Sequence, residues 1–250
     1  MSWKDDFITA LSWLRQPKKR GLIRAALQLK GKKGIEVGGP SKFFSLKGPC
    51  PVYLFAKSID GVNFSNETVW EGRIREGNYY RYYHSKTGYQ YIAEASDLNM
   101  IPDDHYDFLL SCHSLEHVAN PVKAVVDWAR VLNKGGRLIL VLPDKRFTFD
   151  VNRPYTTMAH LLDDYRLNTT EQDTTHFDEI IRLHDPQKDP LMQSSAQVEA
   201  MLQDNFNNRM AHHHVFDHGL VKELLEYCGF AVQLEQEVAP FHLVTVARKQ

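Results

Sequence analysis

Residues 106–142 constrain the fold more than any other stretch of the chain. YDFLLS (106–111) and RLILVL (137–142) are short apolar runs of strand length. Between them, Asn120 supplies a helix N-cap and Pro121 suits the first helical position. Val122, Val125, Val126, Ala129 and Leu132 then recur at helical spacing, and Gly135–Gly136 ends the helix. A strand, a capped helix and a second strand make a βαβ unit, which implies a largely parallel sheet.

The flanking segments extend that pattern. Residues 35–37, bounded by glycines, read as a buried strand, and 52–56 as a second. Residues 62–90 read as irregular and tyrosine-rich, with a turn at Thr87–Gly88. At the N-terminus, Phe7, Ile8, Leu11 and Leu14 share a helical face, Pro17 interrupts, and 20–30 reads as a further helix, so 1–30 is expected to form a helical extension. Residues 150–210 are polar and rich in Asp, Glu, His and Thr, with helical patches at 157–165, 176–184 and 195–209. They read as a helical insertion placed to cover the carboxyl ends of the strands as a lid. Asp217 caps a helix carrying Leu220, Leu224 and Leu225, ended by Gly229. Runs 230–238 and 241–247 close the chain as a hairpin turned at Pro240, so the sheet has at least one antiparallel strand.

Length and charge bound the function. The 250 residues suit one α/β domain, 1–250, with an insertion. A net charge of −1 gives no global field for nucleic acid, and none is expected as a partner. Cys50, Cys112 and Cys228 lie far apart, which points to a reducing, cytoplasmic compartment. No signal peptide or membrane-spanning run is read. From Arg15 to Lys33 the chain is basic without an acid. A membrane-surface or acidic-glycan contact is one reading; a solvated helix surface is the preferred one. Oligomeric state is not legible.

GIEVGGPS (34–41) follows the first strand. Gly38 and Gly39 let a ligand approach the backbone, while Pro40 and Ser41 stand where a phosphate cradle wants glycine and free donors. The loop suits a ligand without phosphate, met by backbone and by Glu36. Asp60 follows Glu36 by 24 positions, near the spacing of a ribose-binding carboxylate in βαβ nucleotide sites. An ordinary turn aspartate in SIDG is the competing reading.

Residues 92–144 place these features in one context. SDLNMIP, YDFLLS, SLEHV and RVLNKGGRLILVLPD occur in that order. The run resembles the class I S-adenosylmethionine-dependent methyltransferases, and with GIEVGGPS the resemblance covers most of 30–150 and 212–250. It implies a Rossmann-like, doubly wound α/β sheet, methyl transfer, and S-adenosylmethionine as cofactor. It further implies that Glu36, Gly38, Gly39, Pro40 and Ser41 sit at the cofactor's amino-acid end. Asp60 would meet the ribose, Asp97 with Leu98 the adenine, and Cys112 and His113 the floor between cofactor and acceptor. A small-molecule or glycan acceptor, methylated at oxygen, is expected. Two alternatives stay open: a non-catalytic S-adenosylmethionine-binding protein, and a dinucleotide oxidoreductase, which Pro40 and the missing third glycine disfavour.

Histidines are the natural bases for removing an acceptor proton near neutral pH. His117 in SLEHV and His113 at the strand end are candidates, and so is His214 in AHHHVFDH (211–218). In an extended segment His212 and His214 share a face. With Asp217, His113 or His117 they could hold a divalent metal, but lining the pocket or packing structurally is preferred and no metal is expected. His160, His176, His184, Asp163, Asp164, Asp173 and Asp178 in the insertion could be ligands at helical spacing, but on a polar lid the solvated reading is preferred.

Overall fold

A computed structural model describes residues 20–250. The helical face expected at Phe7, Ile8, Leu11 and Leu14 and the basic residues before Arg20 lie outside the described residues. The elements run α1 (Arg20–Leu27), β1 (Lys33–Val37), α2 (Val52–Phe55), β2 (Ser58–Asn63), β3 (Glu67–Thr68), β4 (Gly72–Arg73), β5 (Gly77–Tyr83), β6 (Lys86–Ile92) and β7 (Tyr106–Cys112). There follow α3 (Pro121–Val131), β8 (Leu132–Pro143), α4 (Met158–Leu167), α5 (Phe177–Leu183), α6 (Ser195–Gln203), α7 (Asn205–Asn208), α8 (His218–Tyr227), β9 (Phe230–Val238) and β10 (His242–Lys249).

The main sheet has the order β5-β6-β2-β1-β7-β8-β10-β9. Strands β6, β2, β1, β7 and β8 are mutually parallel, while β5, β10 and β9 pair antiparallel. From β1 the chain builds outward through β2 to β6, then returns to lay β7 on the other side of β1. That reversal leaves a crevice at the carboxyl ends of β1 and β7, where open α/β sheets bind ligands.

Alternation along the strands explains the two cores. On β8, Leu138, Leu140 and Leu142 face one layer, with α3, α4 and α8, while Ile139 and Val141 face the other, with α1 and α2. Asn120 caps α3 by accepting from the Lys123 N–H at 3.0 Å, with Pro121 in the first turn. A smaller core of Ile180, Val198, Leu202 and Ala211 holds the insertion together.

Two local expectations differ from the structure. The apolar run 52–56 is a short helix, not a strand, and all four residues of α2 are buried. The second strand is the more polar SIDGVN that follows, so apolarity alone misplaced it. Residues 77–92 are not irregular but form a hairpin turning near His84, whose φ is 45°. Gly88 is no turn residue: a Cβ there would lie 1.8 Å from the Ile59 carbonyl oxygen, so it permits close strand approach. The helical patch at 195–209 is broken into α6 and α7 around Asp204. The described part of the basic stretch exposes Arg20, Arg24, Lys30 and Lys32, as a solvated surface does. No helix among the described residues is long and apolar enough to cross a membrane.

Candidate active site

A cavity of about 530 Å³ opens at the carboxyl ends of the parallel strands. Its sheet side is made by Gly38, Asn63, Glu94, Cys112 and His113. The insertion and the segment after it supply the facing side, including Ile180, Met192, Met201, Met210 and His212.

The turn after β1 brings Gly38, Pro40 and Ser41 to the cavity. Gly38 has φ +77° and lies so close to Ser114 that a Cβ would stand 2.0 Å from its Oγ. Glu36 does not face the cavity. It is fully buried, and its Oε2 accepts from the Tyr53 and Tyr80 hydroxyls at 2.6 and 2.5 Å. Its Oε1 accepts from the Ser41 N–H at 3.0 Å. Burial pushes its carboxyl up to about 7 against those hydrogen bonds. Glu36 therefore braces the turn from behind. Gly39 is part of that packing, since a Cβ would sit 2.3 Å from both the Glu36 carboxyl carbon and the Tyr80 hydroxyl.

The other two acids expected at the cofactor are also turned away. Asp60 lies in the middle of β2, where it accepts from the Tyr106 hydroxyl at 2.7 Å and the Tyr89 N–H at 2.8 Å. The polar residue at the end of β2 is Asn63, which donates to the Gly39 carbonyl at 3.1 Å. Strand β6 ends at Ile92, so the residues entering the cavity are Ala93, Glu94 and Ala95. Asp97 is exposed and accepts from the Asn99 N–H, and Leu98 is buried in the core. Glu94 meets Arg209 at 2.7 Å, and Arg209 also meets Glu171 at 3.0 Å.

Three histidines, His113, His117 and His212, line the cavity. His113, at φ 53°, places Nε2 2.8 Å from His242 Nδ1. His117 Nδ1 donates to the Ala211 carbonyl at 3.1 Å, and burial pulls the ring down to about 4. His212 packs its ring 4.6 Å from that of His117 and sets Nδ1 2.5 Å from Asp150 Oδ2. Arg153 holds the arrangement: Nη1 donates to Asp150 and to the His212 carbonyl, and Nη2 to the His213 carbonyl. Burial alone would raise the Asp150 carboxyl, but His212 and Arg153 draw it down to about 2. Burial lowers the His212 pKa, and the Asp150 charge more than offsets this, leaving it raised. Between these rings the Glu116 carboxylate is buried and has no hydrogen-bond donor; His113 Nδ1 approaches it at 3.3 Å without good geometry.

His214 is not in this group. Residues 211–217 follow an irregular path, so His212 faces the cavity while His214 packs behind, its Nε2 3.3 Å from the Ala119 carbonyl. Burial holds its pKa well below the ordinary value. The metal set joining His212 to His214 is not formed. Asn63, Glu94, Glu116 and Asp150 thus enter the site beyond the expected residues, and His212 lines the pocket as the histidine run allowed. SLEHV held a clue to Glu116; Asp150 left no local sign.

One end of the cavity, at Glu116, suits a cation. Glu94 and Glu171 also line the cavity but are paired with Arg209, whereas the Glu116 oxygens lack partners. S-adenosylmethionine carries a sulfonium and an ammonium, so this end suits it.

Residues 52–140 match the family model described as "Methyltransferase domain". The fold is shared with the S-adenosylmethionine-dependent methyltransferase from Mesorhizobium loti, at 14% identity and TM-score 0.51, over 92% of this chain and 96% of that one. It is shared equally with one from Methanosarcina mazei, at 16% identity and TM-score 0.51, over 91% and 96%. No curated protein sequence matches the chain. Sheet order and the place of the cavity are those of a Rossmann-like fold shared with these methyltransferases, and residues 52–140 carry the methyltransferase-domain match. Both of those structures are of S-adenosylmethionine-dependent enzymes.

Proposed function

We propose that this enzyme methylates an oxygen of a small molecule, with His212 as the base that removes the acceptor proton. The Asp150–His212 pair beside the cavity carries this reading. The bound cofactor supplies a methyl group already activated by its sulfonium, so the protein's tasks are alignment and proton removal. A neutral hydroxyl gains most from a base. With Nδ1 held by Asp150, His212 keeps Nε2 to take that proton, as an oriented imidazole does in other sites. His117 is the poorer base, since burial holds its pKa at about 4.

The backbone of residues 37–41 and the Asn63 amide would hold the cofactor's amino-acid and ribose ends, and Glu94 its adenine end. Glu116 would face the positive charge. The insertion over 150–210 serves as a lid within one domain: Ile180, Met192 and Met201 exclude water from the acceptor. An enclosed, methionine-lined space suits a small molecule or the terminal sugar of a glycan.

Calorimetry with S-adenosylmethionine, then labelled-methyl transfer to panels of phenols, sugars and amines, tests the reading. Transfer to phenols or sugars that His212→Asn abolishes without loss of cofactor affinity is expected. Transfer confined to amines, or unchanged in His212→Asn, overturns it.

A further inference from the structure

Behind the cavity, three separate stretches bring four ligating side chains together. His160 and Asp164 lie four residues apart on one face of α4, His176 precedes α5, and His214 lies in the segment leading to α8. His160 Nε2 stands 3.1 Å from His176 Nε2 and 3.4 Å from Asp164 Oδ2. His214 Nε2 stands 3.7 Å from the same Asp164 oxygen. One ligand atom from each residue falls within 4.8 Å of the others. Ligands at roughly 2.0–2.1 Å in a tetrahedron are about 3.3–3.4 Å apart, so the resolved separations bracket a zinc-sized tetrahedron.

Hydrogen bonding within the protein does not account for the cluster. Asp164 Oδ2 is buried with no donor, and its side chain is only 10% exposed. His214, fully buried, has Nδ1 without a partner and Nε2 only on a long contact to the Ala119 carbonyl. A metal on Nε2 replaces that contact by moving the ring proton to Nδ1. A buried carboxylate oxygen such as Asp164 Oδ2, left this way, is costly unless something completes it.

We propose that His160, Asp164, His176 and His214 bind a structural zinc ion, a site the sequence reading did not expect. Three imidazoles and one carboxylate are a donor set that zinc accepts. Four protein ligands leave no open position, which marks a structural site and not a catalytic one. His160, 40% exposed, gives the ion its way in. The ion would tie α4 and the start of α5 to residues 211–217. His212, two residues before His214, would then be held against the cavity by a fixed segment. The proposal does not depend on the acceptor.

The full chain without a histidine tag, dialysed against micromolar zinc and then buffer, should retain a single zinc by elemental analysis. Cobalt(II) in its place should show the intense visible bands of a tetrahedral ion. His160→Gln, at a half-exposed position, and His176→Gln should each weaken zinc binding by more than the roughly 10–100-fold that loss of an outer partner costs. Both should remove the zinc-dependent rise in Tm. His212→Gln should keep the ion, because His212 belongs to a different trio with Glu116 and His117 on the cavity. Wild-type protein that retains no zinc overturns the proposal whatever the variants do. So does zinc that survives in both His160→Gln and His176→Gln, or that is lost in His212→Gln.

Discussion

His212 shows how one side chain acquires a role from its neighbours. Asp150 raises its pKa and fixes Nδ1 as the donor, while Arg153 keeps Asp150 ionised. A base must be neutral to act, so kcat/KM should fall as pH drops through the His212 pKa, which lies above the ordinary histidine value. Asp150→Asn removes the charge that raises it. The falling limb of the pH profile should then move to lower pH, and kcat should drop by roughly 10²–10⁴-fold. A full pH–rate profile of both proteins checks this, and an unmoved limb would exclude His212 as the titrating group. Its neighbour His214 has the same chemistry and a different fate, because the irregular backbone of 211–217 turns it behind the site.

At the level of elements, the position of a residue along its strand decides its task. Asp60 and Asn63 are three residues apart on β2, yet Asp60 binds Tyr106 and Tyr89 within the fold while Asn63 reaches the cavity. Asn63→Ala should raise KM for S-adenosylmethionine about tenfold with kcat little changed, as loss of a binding contact worth about 1.4 kcal/mol does. Asp60→Asn should leave KM unchanged and cost about 1.5–3 kcal/mol of stability in urea, the range for hydrogen bonds to a charged group. Steady-state kinetics and urea denaturation on the two variants separate the roles, and the reverse pattern would return the ribose to Asp60. The same logic puts Glu94, and not Asp97, on the cavity: β6 ends at Ile92, and Asp97 lies past the cavity in solvent.

Across the whole molecule, the insertion is fastened to the sheet by charge. Arg209, buried to 8% exposure, bridges Glu94 after β6 and Glu171 between α4 and α5. Burial already pushes the Glu171 carboxyl up to about 7 despite Arg209. Arg209→Leu leaves two carboxylates facing each other and should cost about 3–5 kcal/mol where both are ionised. Glu171 binds its proton more tightly in the folded state, so its contribution to stability falls as pH rises from about 4.5 to about 7. The variant's deficit should therefore be largest near pH 8 and shrink near pH 5.5, where Glu171 is protonated; urea titrations at the two pH values check it. Much of this architecture was legible beforehand. The βαβ unit at 106–142, the caps at Asn120 and Asp217 and the final hairpin follow from spacing along the chain, because helix and strand periods and caps are local; the donor class rests on the family resemblance of 92–144. The active face was not. Glu36 meets Tyr80 across 44 positions and Asp150 meets His212 across 62, and no local pattern records which distant partner turns a carboxylate inward. Strand ends and long-range pairing therefore chose Asn63, Glu94 and His212 for the cavity. They also drew His160, Asp164, His176 and His214 together from a stretch that reads, residue by residue, as a solvated surface.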